Sequence, residues 1–68
     1  MTKTEIWKLR NNIIENIDYL STEYQTTYDI LSDLNRIISL DMSHSMIFQW
    51  WSDNEDSIDI INKLIEKV

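Results

Sequence analysis

The chain has 68 residues and contains no glycine, no proline and no alanine. Tight turns that need a positive or a fixed φ therefore lack their usual residues, and β-hairpins depend on such turns. Low-GC coding would also thin out these three residues, and the wealth of Ile, Asn, Asp and Ser fits that cause. The absence gains structural meaning because the apolar residues independently recur at helical spacing. The expectation is an all-α fold.

Size and charge narrow the classes open to such a chain. One domain, residues 1–68, is expected, and a chain of this length buries only about 60% of its unfolded surface. Small folds compensate with disulfides, a metal, very regular helix packing or a partner subunit. There is no Cys, and the single His44 cannot build a zinc site alone. No cofactor or metal is expected, which leaves packing and self-association. A Cys-free chain suits the cytoplasm. Neither a signal-peptide core nor an apolar run of the roughly 20 residues needed to span a membrane is present.

The net charge is −6, and it is unevenly spread. Lys3, Lys8 and Arg10 sit near the start, Lys63 and Lys67 near the end, and Arg36 is the one Lys or Arg between residues 11 and 62. That stretch holds Glu15, Asp18, Glu23, Asp29, Asp33, Asp41, Asp53, Glu55, Asp56 and Asp59. An acidic middle repels phosphate, which argues against direct nucleic-acid binding and against an anionic membrane surface. It suits a basic protein partner or a plain solvated surface.

Three to four helices are expected. Thr2 and Glu5 form a capping box, followed by a stripe of Ile6, Leu9, Ile13, Ile17 and Leu20. Trp7 and Ile14, seven apart, make a second ridge, and a helix with two ridges usually contacts two neighbours. Thr22 to Gln25 reads as another capping box. It precedes a stripe of Tyr24, Tyr28, Leu31, Leu34 and Ile38, with Ile30 and Ile37 at its edge and Gln25, Asp29, Asp33 and Arg36 facing away. The first stripe continues in phase into this one, so residues 4–40 fit either a hairpin or one helix about 50 Å long, which would require a dimer. Asp41 to Ser45 is the best loop. Ser52 to Glu55 is a third capping box, opening a last helix whose face is Ile58, Ile61, Ile65 and Val68, widened by Ile60 and Leu64. With Ile and Asn abundant and Ala absent, these helices depend on packing rather than on intrinsic propensity.

The segment from Met42 to Trp51 is the most unusual. Neighbouring residues on a helix point about 100° apart, so Trp50 and Trp51 do not both face one core easily, and Phe48 points away from the side shared by Met46, Ile47 and Trp50. Aromatic and Met side chains are favoured interface anchors. The acidic group Asp53, Glu55, Asp56 and Asp59 follows directly, either as dipole-compensating residues of a helix start or as an electrostatic patch. Ser43 and His44 are adjacent, but nothing orients them as a nucleophile and base, and an enzyme is not expected.

The reading is an all-α bundle of three to four helices, which homodimerisation would complete. The chain is read as a small acidic protein-binding module, of the kind phages and mobile elements use to inhibit a basic, nucleic-acid-handling host protein. Met46, Phe48, Trp50, Trp51, Asp53, Glu55, Asp56 and Asp59 are its candidate partner-binding residues. The alternative is a structural or regulatory homodimer that uses the Trp-rich segment as its own interface. Mimicry of DNA across the whole surface fits less well, because mimics carry denser charge.

Overall fold

A computed structural model describes residues 3–68, so the capping box involving Thr2 falls outside the described residues. Those residues form five helices and no strand: α1 (Lys3–Glu15), α2 (Ile17–Glu23), α3 (Thr26–Leu40), α4 (His44–Asp53) and α5 (Glu55–Glu66). The all-helical expectation is met, with one helix more than the three to four anticipated. None of the helices is long and apolar enough to cross a membrane.

The fifth helix arises from a break that the apolar spacing hides. The first stripe runs in phase through Ile13, Ile17 and Leu20, yet the backbone leaves the helical region at Asn16, with φ −121° and ψ 23°. Asn16 N–H donates to the Ile13 carbonyl three residues back, at 3.1 Å. Its Nδ2 then donates to the Asn12 carbonyl at 2.9 Å, the acceptor that a continuous helix would have given to the backbone. Asn54 between α4 and α5 has similar backbone angles, φ −116° and ψ 14°, but its Nδ2 donates to the Trp50 carbonyl at 2.8 Å beside its own N–H, which still reaches that carbonyl at 3.1 Å. A chain without glycine thus turns twice on asparagine, whose short amide replaces the lost backbone donor at Asn16 and supplements the backbone donor at Asn54.

The other two connections use different chemistry. Between α2 and α3, Tyr24 is extended, with φ −153° and ψ 97°, and this reverses the chain. One continuous helix over residues 4–40 is therefore excluded. The expected capping box at Thr22 is absent: the Thr22 hydroxyl donates back to the Asp18 carbonyl, and α3 starts after Gln25 with no side-chain cap. The box at Ser52 is absent too, because α4 runs through Asp53 and Asn54 precedes α5 without capping it by its side chain. Between α3 and α4, Asp41 adopts the left-handed conformation with φ 49° and ψ 53°. The Asp41 N–H donates to Ile38 O and the Met42 N–H to Ile37 O, each at 3.3 Å, which is a Schellman ending with aspartate in glycine's usual place. The loop is only Asp41 to Ser43, shorter than expected, and His44 and Ser45 already belong to α4.

Lys3 pairs with Asp41 and Arg10 Nε donates to Asn35 Oδ1 at 3.0 Å, so α1 and α3 lie antiparallel. They form one layer, with α4 and α5 packed beneath. Ile6, Leu9, Ile13, Leu20, Ile30, Leu34, Ile37, Ile47, Ile58 and Ile61 make the core. The face of α3 is turned from its expected position. Ile30 and Ile37, read as edge residues, are buried with Leu34, whereas Leu31, Ile38 and Tyr24 are half-buried and Tyr28 is exposed. The cause is the second layer, which draws in the side of α3 that carries Ile30 and Ile37. Ile60 of α5 is exposed rather than part of the face, and Val68, also exposed, lies beyond the end of the helix at Glu66. The buried Thr27 hydroxyl reaches the Leu20 carbonyl at 3.4 Å, and no buried side-chain polar atom among the described residues lacks a partner.

Candidate protein-interaction surface

Helix α4 is the shortest route from sequence to a presented aromatic. Ser43 caps it, its Oγ accepting from Met46 N–H at 3.4 Å. Ile47 is fully buried and fixes the rotation of the helix. One residue on, and so about 100° around, Phe48 is 61% exposed. Met46 is 55% exposed on the other flank, not on the core side with Ile47 and Trp50 as expected. Phe48 and Met46 are about 160° apart around the axis, so they do not form one patch.

The two indoles divide the remaining duty. Trp50 and Trp51 straddle Ile47 and meet edge to face, their ring centroids 6.3 Å apart at 77°. Both are half-buried. Trp50 Nε1 donates to Asp33 Oδ2 at 3.0 Å, tying α4 to α3. Asp33, expected to face away, is therefore half-buried and engaged. Trp51 sits at the other side, against a depression lined by Glu5, Lys8, Leu9, Asn12 and Asn62. Each ring already has an intramolecular role, and the more open aromatic of the segment is Phe48.

The acidic residues fall into two groups. Asp53 is in the last turn of α4, where its Oδ1 accepts from Gln49 Nε2 at 2.9 Å. Glu55 and Asp56 lie in the first turn of α5, where negative charge opposes the exposed N–H groups of the helix. Asp59 follows one turn later on the same outward side, with Lys63 beyond it. All four carboxylates are exposed. The structure therefore brings Glu55, Asp56 and Asp59 together as a ridge and sets Asp53 at its head. Tyr24 Oη and Ser57 Oγ, 2.9 Å apart, tie this end of α5 to the α2–α3 junction.

His44 and its neighbouring serines are exposed at the start of α4, where Ser43 Oγ and Ser45 Oγ lie 3.3 Å apart. No group of three His, Cys, Asp or Glu side chains among the described residues could hold a metal ion. A cavity of about 30 Å³ between Lys3, Ile6, Ile37, Ile38, Asp41, Met42 and Ile47 has room for about one water.

A second surface was only half legible. Trp7, 47% exposed, and Ile14, 42% exposed, form the ridge anticipated from their spacing, but none of the described elements covers it. The Arg10 guanidinium lies 5.5 Å from the Trp7 ring centroid, in cation–π range. The seven-residue spacing was the signal for this ridge; its joining to Tyr28 on α3 depends on the antiparallel register. No known protein family, curated protein or solved structure matches this chain.

Proposed function

We propose that the chain acts by binding another protein, with Phe48 of α4 as anchor and the Glu55, Asp56 and Asp59 ridge of α5 as the electrostatic guide toward a basic partner. The observation that carries this reading is Phe48 itself: an aromatic 61% exposed on a helix held rigid by the fully buried Ile47 beside it. Rigid aromatic anchors bind at low entropic cost. The ridge a few residues further on supplies the sign of the partner. A basic, nucleic-acid-handling protein has the matching surface, and occupying its groove would make this chain an inhibitor. The lack of cysteine fits action in the cytoplasm. Supporting this reading over a homodimer built on the Trp-rich segment is the engagement of both indoles within the chain.

The test is capture from a host lysate on the immobilised parent protein, followed by binding kinetics with the protein retained. Association should slow as salt rises, because exposed charges are screened beyond about 8–10 Å near physiological ionic strength. Asp56→Lys with Asp59→Lys should lower the on-rate and leave the off-rate nearly unchanged. Phe48→Ala should do the reverse and cost about 2 kcal/mol, roughly 30-fold in affinity. A partner retained equally by the parent and by both variants would sink the proposal.

A further inference from the structure

Between Ile17 and Leu40 the backbone leaves the helical region at one residue, Tyr24, with φ −153° and ψ 97°. Gln25 is helical again, with φ −62° and ψ −28°. Nothing in the local sequence compels this bend. Neither position is glycine or proline, and α3 starts with no side-chain cap. Thr27 N–H and Tyr28 N–H reach back only three residues, to Tyr24 O at 3.0 Å and Gln25 O at 3.2 Å, and Gln25 N–H takes no part in the backbone hydrogen bonds of the turn. A helical Tyr24 would give Gln25 and Thr26 N–H the carbonyls of Ser21 and Thr22.

The apolar pattern runs through the bend without losing phase. Ile17, Leu20, Tyr24, Thr27, Leu31, Leu34 and Ile38 follow one another at spacings that alternate between three and four, the seam of a continuous helix. Leu20, Thr27 and Leu34 are fully buried, and Ile17, Tyr24, Leu31 and Ile38 are half-buried. The residues that make the bent form's core would therefore share one side of a straight helix. Such a helix over Ile17–Leu40 is about 36 Å long, against 31 Å for the longest dimension of the molecule. Its two halves then pack on two different bodies.

We infer that the chain exchanges α1 and α2 with a second copy of itself, Tyr24 acting as a one-residue hinge that straightens α2 and α3 into a single helix. The occupant follows from the surface that opens. When α1 and α2 swing away they uncover Ile30, Leu34 and Ile37 of α3 and Ile58 and Ile61 of α5, and the sequence shaped to cover them is α1 and α2 of another copy. The contacts away from the hinge are those the monomer already makes, so their register and charge pairing do not change. Asn16 keeps its break, and α4 and α5 travel with α3. In the bent form the hinge is held from outside: Tyr24 Oη and Ser57 Oγ lie 2.9 Å apart, and the Thr27 hydroxyl donates to Leu20 O at 3.4 Å. Straightening breaks the Tyr24–Ser57 bond, while the buried Thr27 hydroxyl finds Glu23 O four residues back. The bent monomer is the dilute form, because its contacts close within one chain.

The experiment refolds the full chain from urea at millimolar concentration, in high salt that screens the repulsion between two copies of net charge −6. Analytical ultracentrifugation then reads the mass, with far-UV circular dichroism as the folding control. The parent should show a species of twice 8.2 kDa. Gln25→Pro suits the bent form, since φ is −62°, the residue before it is extended and no backbone hydrogen bond of the turn is lost. Proline inside the straight helix is not tolerated, so this variant should fold and raise the dissociation constant more than a hundredfold. Ser57→Ala releases the hinge and should lower it about fivefold, the worth of one hydrogen bond. Arg10→Cys with Asn35→Cys, in a chain with no other cysteine, places a pair for a short bismaleimide across α1 and α3, which hydrogen-bond at these positions. At millimolar concentration the links should join two chains, and adding Gln25→Pro should return them to one. A parent that stays monomeric, a folded Gln25→Pro that dimerises like the parent, or links confined to single chains overturns the exchange. Should Gln25→Pro fail to fold, the crosslink and Ser57→Ala decide: a dimer unchanged by Ser57→Ala overturns the hinge.

Discussion

The two broad surfaces of this bundle both present aromatic rings, but they are set in different electrostatic surroundings. The upper face groups Trp7, Ile14 and Tyr28 around one cation, with Asn11, Ser32, Asn35 and Ser39 beside them. The lower layer offers Phe48 on α4 and then a ridge of three carboxylates on α5. Exposed apolar area is similar in kind on both sides and so does not distinguish them. What distinguishes them is which charges can approach. The carboxylate ridge favours a basic partner and repels another acidic copy, while on the upper face carboxylates, Glu15 and Asp18, stand only at the edge.

The comparison can be broken most forcefully through the core that supports the lower surface. Ile47→Ala should destabilise the protein by about 2–5 kcal/mol in urea unfolding, the usual cost of emptying a filled core position. Phe48→Ala and Trp7→Ala, at exposed positions, should each change stability by about 0.5 kcal/mol or less. The aromatic near-UV signal of Trp50 and Trp51 and the far-UV helix signal should disappear in a single transition. If the aromatic signal fades first, α4 is a separate unit and the two surfaces do not share a scaffold.

A smaller effect is expected at the tie between layers. Trp50→Phe keeps the ring and removes the indole N–H that donates to Asp33 at 3.0 Å. The loss should be about 1 kcal/mol, since the acceptor is a carboxylate but is partly solvated. It should be measured by denaturant midpoint.

Smaller again are the asparagine turns. Asn16→Ala and Asn54→Ala each remove a side-chain donor to a helix-terminal carbonyl, a loss of about 0.5–1 kcal/mol. Alanine's better helix propensity offsets part of it. Asn16→Ala should act on the upper layer, where the break aims α2 toward α3. Asn54→Ala should act on the angle between α4 and α5. Hydrogen exchange at the amides flanking each turn separates the two.

How much of this was legible in the sequence follows from where each signal is stored. Helicity was legible, because missing turn residues and 3–4-residue spacing are local properties. So was the outward course of Phe48, which follows from Ile47 being inside. The break at Asn16 was not, since Asn11, Asn12, Asn35 and Asn62 lie inside helices without breaking them. Composition does not single out the one asparagine whose neighbours must turn. The rotation of α3 was hidden because it is apolar on two adjacent sides, Ile30 with Ile37 and Leu31 with Ile38, and only the second layer chooses between them. Asp33 was misread because its donor, Trp50, is 17 residues away.

The smallest expected effect lies at Asp41, where the upper layer ends and the chain descends to α4. Lys3 donates a hydrogen bond to its carboxylate and adds a nearby positive charge, and the two hold Asp41 below the ordinary aspartate value of 3.8. A carboxylate with a lowered folded-state pKa contributes stability above its unfolded value and loses that contribution as pH falls through the folded one. The acid limb of the stability curve should therefore steepen below pH 3.8 through this residue. Both partners are exposed, so the effect is slight and salt-sensitive. Asp41→Asn keeps a side chain that tolerates φ 49° and removes the charge, and Asp41→Gly also removes the steric strain of the left-handed conformation. Both should flatten the acid limb equally. At pH 7 the glycine variant should melt above the asparagine variant, because only it relieves the backbone. Equal melting temperatures would mean that aspartate is unstrained there, and that the Schellman ending, rather than the residue that occupies it, sets the junction between the two surfaces.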